Sequence, residues 1–198
     1  MVTSINRLKR FFGLKVPSAN LADLPSGRRE QILAIYSQLR FDMAAAADIS
    51  WLGVDTIEFD YCGRLKPGLH RLSWSDLERI YGRSKRRLRL LEGMRRVLDD
   101  LKLNGCRQVF IGGSFVSEKI SPNDFDLIYD LTGMSIDAVL EQAPLLCPRS
   151  DTARRLQIEQ YGGQALPLCF SPELPSLLEF MLYDDRFDEY KGVVVLTF

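Results

Sequence analysis

The sequence predicts an α+β fold, a small mixed β-sheet flanked by helices. Three observations lead there. Segments of helical length, with apolar residues three and four apart, are interspersed with short apolar runs of strand length. Capping serines, glycines and prolines mark the borders between most of them. The chain has 198 residues, 46% of them hydrophobic, which suffices to bury one substantial core.

Residues 1–25 carry Pro17, Asn20 and Pro25 and no clear period, so they are expected to be irregular. Ser26 can cap a helix that brings Ile32, Ile35, Tyr36, Leu39 and Met43 onto one face and ends near Asp48. Residues 54–61 alternate apolar and charged as a half-buried strand does, and Gly63 and Pro67-Gly68 supply turns after it. Ser75-Asp-Leu-Glu78 has the form of a capping box for a short helix that Gly82 ends. A longer helix is expected over Ser84–Leu103, with Leu88, Leu91, Met94, Leu98 and Leu101 inward and Asn104-Gly105 as its stop. Strands follow at Gln108–Ile111 and Phe125–Ile128, separated by a loop rich in Gly and Ser. Ser135 caps a helix to Gln142, and Asp151–Tyr161 is a helix closed by Gly162. A strand at Ala165–Phe170, a short helix at Pro172–Leu182 and a strand at Gly192–Phe198 complete the chain. This divides it into an N-terminal extension with one long helix, residues 1–61, and a domain spanning residues 62–198.

Composition removes several function classes. Cys62, Cys106, Cys147 and Cys169 form no C-x-x-C pair, so a zinc knuckle or redox motif is absent and reduced thiols in a cytoplasmic protein are expected. His70 is the one histidine, in a turn-like Lys66-Pro-Gly-Leu-His70 without a nucleophile motif beside it. A structural role for it in a loop is expected rather than a catalytic triad. No run approaches the ~20 apolar residues of a membrane span. Twenty-six Lys and Arg cancel 26 Asp and Glu, but the charge is segregated. Eleven basic residues stand against three acids between Arg64 and Arg96, and six acids against Arg186 between Glu173 and Tyr190.

The chemistry-bearing segment is Val109–Leu127. It runs from an apolar strand through Gly113-Ser114 to Pro122-Asn-Asp-Phe-Asp-Leu127. Residues two apart on a strand share a face, so Asp124 and Asp126 would present two carboxylates to one point. Paired carboxylates of this kind suit Mg²⁺, which is held by one or two of them together with substrate phosphate oxygens. Gly113 lets backbone approach a phosphate, and the Ser114 hydroxyl adds a donor. The alternative is an Asn123-Asp124 turn that simply caps a strand.

This pattern resembles the nucleotidyltransferase superfamily of the DNA polymerase β type: an apolar-Gly-[Gly/Ser]-Ser run, a spacer of about ten residues, then Asp-x-Asp. It resembles more closely a functionally uncharacterised bacterial and phage branch of nucleotidyltransferase-like proteins. That likeness rests on Pro67-Gly-Leu-His70, the basic helix Arg86–Val97, Gly113-Ser-Phe-Val116, Pro122–Leu127 and Lys191-Gly-Val-Val194. The resemblance implies a polymerase β-like core in which Asp124 and Asp126 are catalytic and hold Mg²⁺, while Gly113, Ser114 and Lys119 contact the NTP. It implies transfer of a nucleoside monophosphate from an NTP to a hydroxyl of RNA or protein. Active members use a third carboxylate, expected soon after a Tyr-Gly pair. Here Gln164 follows Tyr161-Gly162 instead, and Asp184 or Asp185 substitutes only if the C-terminal segment folds back. The alternative the resemblance leaves open is a catalytically degenerate member that binds a nucleotide or a protein partner, as in toxin–antitoxin or phage-defence systems.

The basic run supplies a third reading. Lys85, Arg86, Arg89 and Arg96 are candidate nucleic-acid contacts. A solvated helix face, or pairing with the acidic C-terminal segment, explains the same run.

Overall fold

The computed structural model describes residues 57–131, 134–148, 150–168, 181, 183–184 and 189–198. The irregular stretch expected over residues 1–25, the helix expected over Ser26–Asp48, Cys169, Asp185 and most of Pro172–Leu182 lie outside the described residues.

The described elements are β1 (Gly68–Arg71), α1 (Trp74–Tyr81), α2 (Lys85–Leu103), β2 (Gln108–Gly112), a 3₁₀ turn (Gly113–Val116), β3 (Asp126–Asp130), α3 (Ile136–Gln142), a 3₁₀ turn (Pro144–Leu146), α4 (Asp151–Tyr161), β4 (Gln164–Leu168), β5 (Tyr183–Asp184), β6 (Glu189–Tyr190) and β7 (Gly192–Thr197). The class is α+β, as expected. Five strands form a mixed sheet in the order β1-β7-β2-β3-β4, and β5 pairs with β6 as a small ribbon. The outer pairs, β1 with β7 and β3 with β4, are parallel; the inner pairs, β7 with β2 and β2 with β3, are antiparallel.

Alternation along the strands divides the core in two. Val109, Ile111, Leu127, Tyr129, Ala165, Val194 and Leu196 face the helices, where Leu77, Leu90, Met94, Val97 and Leu101 meet them. Phe110, Ile128, Leu168, Val193 and Val195 face the other way, under Met181 and Tyr190. Gly93 explains how α2 and α4 approach: a Cβ there would overlap the Tyr161 carbonyl. Across the same crossing Tyr161 donates its hydroxyl hydrogen bond to Asp100 Oδ2 at 3.2 Å. Gln157 of α4 is fully buried because the Leu145 and Ala165 carbonyls accept from its amide at 2.6 and 2.9 Å, and its oxygen accepts from Ala165 N–H at 3.1 Å.

Several boundaries depart from the expected ones. The cap of α1 is Ser73, whose hydroxyl accepts from Asp76 N–H at 3.1 Å, two residues before the expected box. That start puts Leu77, Ile80 and Tyr81 inward. On α2 Leu88 is exposed and Arg87 is buried in its place. His70 lies on β1 rather than in a turn, and its Nε2 is 2.8 Å from the Lys66 carbonyl oxygen, a structural contact. The described part of the 54–61 segment closes as a turn, with only a single bridge between Phe59 and Leu65. Ile57 and Phe59 pack on the helical-side core, so the folded unit begins before Cys62.

Candidate functional site

Hydrogen bonding to β2 begins at Asp126, opposite Gly112, so Asp126 is the first residue of β3 and Asp124 precedes the strand. The expected placement of both aspartates on one strand is therefore corrected. They remain close enough to act on one another. Burial, then the Asp124 charge, pushes the Asp126 carboxyl up to about 6, against the opposing pull of Lys191. Two carboxylates that disfavour each other's charge are a donor set that a divalent cation relieves.

The Gly-Ser loop meets them. Gly113 has a φ of +70°, in the left-handed region, and a Cβ there would overlap the Asp126 carboxylate. Both the backbone angle and the lack of space require glycine. Asp126 shares its face with Ile128, the side opposite the helices, so loop and carboxylate come together at one end of β2 and β3.

Gln164 sits in the adjoining strand in direct register with Asp126. By alternation it shares the face of Leu168 and Asp126. The position where the resemblance implies a third acid thus holds an amide, which accepts a hydrogen bond but carries no charge. Asp184 lies on β5, and no group of three His, Cys, Asp or Glu side chains suited to a metal ion occurs among the described residues.

A cleft of about 700 Å³ opens at the loop, with Gly113, Ser114, Ser117, Lys119 and Lys191 in its walls. Arg64, Tyr61, Cys62 and Ile120 also line it. Gly113 is the shared element: it lines the cleft and abuts Asp126. Of the expected site residues, Gly113, Ser114 and Lys119 line the cleft, and Asp126 abuts Gly113. Lys191 and Ser117 were not identified as site residues from the sequence, and Gly63 was read there only as a turn; Lys191 had a signal in the Lys191-Gly192 pair.

The basic helix behaves differently from expectation. Arg86 donates to the Pro122 carbonyl at 3.2 Å and to the Asn123 carbonyl, bracing the loop before Asp124. Arg96 donates to the Gln160 carbonyl at 2.8 Å and lies over the Tyr161 ring. Lys85 and Arg89 are exposed. Arg87, not among the expected site residues, is 3% exposed and donates to the carbonyls of Phe115 at 2.7 Å, Ser117 at 2.6 Å and Lys119 at 2.6 Å. Its guanidinium also lies over the Phe115 and Tyr81 rings. It fixes the whole loop from Phe115 to Lys119 to α2.

Residues 57–197 match a family described as a family of unknown function, DUF6932. The chain belongs to the DUF6932 family. The matched span covers the turn at Gly63, the Gly113-Ser114 loop, Asp124 and Asp126, and Gln164, so this DUF6932 domain contains the whole candidate site. No curated protein and no solved structure matches the chain.

Proposed function

We propose that this DUF6932 member is a nucleotidyltransferase-like protein that binds an NTP with Mg²⁺ and transfers its nucleoside monophosphate to a hydroxyl of RNA or protein. The observation that carries this reading is the close approach of Gly113 to the Asp126 carboxylate, which brings the Gly-Ser loop against the carboxylate pair. Asp124 and Asp126 hold the metal in this reading. When bound there, Mg²⁺ neutralises phosphate charge and orients the triphosphate. Ser114 donates a hydrogen bond to the phosphates, and Lys119 lends a positive charge. The acceptor oxygen bonds to the α-phosphorus as the bond to pyrophosphate breaks, and the hydroxyl proton passes to solvent. Gln164 is unable to take that proton, so turnover is slow. Free thiols at Cys62, Cys106 and Cys147, together with the lack of a membrane-spanning helix among the described residues, support a cytoplasmic location.

One observation favours a second reading. With Gln164 in register beside Asp126, the site supplies two carboxylates where an efficient enzyme of this type uses three. The protein then binds the nucleotide and acts through a protein partner. Incubation with each α-labelled NTP, Mg²⁺ and total RNA or protein extract separates the two. Label transfer by the wild type, abolished in Asp124→Ala/Asp126→Ala and raised in Gln164→Glu, supports the enzyme. Nucleotide binding without transfer supports the second reading, and absence of both overturns the assignment.

A further inference from the structure

The cleft has a second wall besides the Gly-Ser loop, built from the turn at Tyr61–Arg64. Asp60 organises that turn: its Oδ1 accepts from Cys62 N–H at 2.8 Å and Arg64 N–H at 2.9 Å, and its Oδ2 accepts from Arg64 Nε–H at 2.7 Å. The turn is also tied to the Gly-Ser loop. Glu118 N–H donates to the Gly63 carbonyl at 2.8 Å, and Arg64 forms a bridge with Ser117. Gly63 has a φ of +73° and lies against Glu118, so the two segments are held together.

At the tip of this braced turn Tyr61 is 89% exposed, and Ile120, also in the cleft wall, is 80% exposed. A rigid turn that holds a bare aromatic ring at a cleft mouth contributes little to the core. Tyr61 and Ile120 add apolar surface to a cleft that also holds Ser114, Lys119 and Lys191, the mixture of apolar walls and a few polar groups that ligand sites have. The volume of about 700 Å³ falls within the roughly 300–1,000 Å³ of small-molecule sites.

We infer that Tyr61 is the stacking platform for the nucleobase of the bound nucleotide, with Ile120 packing at the same end of the cleft. This deepens the nucleotide reading above and rests on it: the phosphates lie at Gly113 and Ser114, the base at Tyr61. Every base has a π-face, so stacking accepts purines and pyrimidines alike. The cleft therefore selects a nucleoside triphosphate over a bare polyphosphate without strong choice of base.

Calorimetric titration with Mg·ATP, Mg·UTP and Mg·tripolyphosphate tests this on the full chain. Tyr61→Ala is expected to weaken both nucleotides by about tenfold or more while leaving tripolyphosphate unchanged. Tyr61→Phe keeps the ring and should keep wild-type affinity. Tyr61→Trp adds an indole whose fluorescence ATP quenches and tripolyphosphate does not. If wild type binds all three probes and Tyr61→Ala binds the nucleotides equally well, the stacking inference is wrong and the phosphate site stands. If wild type binds none of them, the nucleotide reading falls and this inference with it.

Discussion

Asp126 carries a conflict between stability and binding. Its carboxyl is raised from 3.8 to about 6 by burial and by the Asp124 charge, so ionisation in the folded state is disfavoured. Between pH 4 and 6 the folded protein holds a proton that the unfolded chain releases. Stability therefore rises as pH falls through that window, and the ionised group weighs against the fold above it. A shift near two units corresponds to about 3 kcal/mol as an upper bound, and partial solvent access reduces this to roughly 1–2 kcal/mol. Asp126→Asn is expected to raise unfolding stability by that amount at pH 7.5 without divalent ions, and to lose the advantage by pH 4. Urea denaturation at the two pH values measures it; an equal difference at both would falsify the assignment of the conflict to ionisation. The same substitution should abolish Mg²⁺-dependent nucleotide binding, because an amide is a poor replacement for the metal-binding carboxylate.

The pieces that carry the site are held by contacts between distant segments, and Arg87 is the principal one. A guanidinium has five N–H donors, and here the carbonyls of Phe115, Ser117 and Lys119 accept from it while two aromatic rings enclose it. Hydrogen bonds to a charged group are worth about 1.5–3 kcal/mol each, and losing the partner leaves buried carbonyls unsatisfied. Arg87→Ala is expected to cost about 2–4 kcal/mol in urea denaturation, and Arg87→Lys somewhat less because ammonium cannot fork across three carbonyls. In protein still folded at low temperature, nucleotide affinity should fall in both variants; unchanged affinity would separate the loop's anchorage from the site. Local signals made α2 and α4 readable from the sequence: Ser84 and Ser150 cap them, while Asn104 and Gly162 stop them. Leu88 was misread as inward, because the partners that bury Arg87 in its place lie about thirty residues downstream. The strand β1 was misread for the same reason: four residues long, it pairs in parallel with Gly192–Val195, more than a hundred residues away. The Gly113–Asp126 meeting was legible because a strand, a glycine turn and an Asp-x-Asp lie within one short segment. The strand start at Asp126 was not, since it depends on where pairing with Gly112 begins.

Charge neutrality across the whole chain has a structural counterpart, since much of the basic stretch is engaged internally. Arg64 joins Asp60 at 2.7 Å and Glu189 at 2.5 Å, linking the basic segment to the acidic one near the C-terminus. Arg79 pairs with Asp76 at 2.8 Å and Lys66 with Glu58 at 2.6 Å. Arg86, Arg87 and Arg96 spend their donors on backbone carbonyls. All four candidate nucleic-acid contacts are exposed, but Arg86 and Arg96 also donate to backbone carbonyls, which leaves Lys85 and Arg89 as the uncommitted pair among the described residues. A surface of this kind contacts about two or three phosphates, and single-stranded binding weakens with a log–log salt slope near −0.7 per phosphate. Anisotropy titrations of a labelled single-stranded RNA should therefore give a slope no steeper than about −2, or a loss near 20-fold between 50 and 200 mM salt. Lys85→Ala/Arg89→Ala should flatten that slope toward zero while leaving Mg·ATP affinity unchanged, because the nucleotide site lies at the Gly113-Ser114 loop. A slope near −5 would instead mean that the helix cations leave their carbonyl partners for RNA, and the chain would then be a nucleic-acid binder first. The shallow slope follows from a helix on which Arg86 and Arg87 are committed to holding the loop and Arg96 to the end of α4.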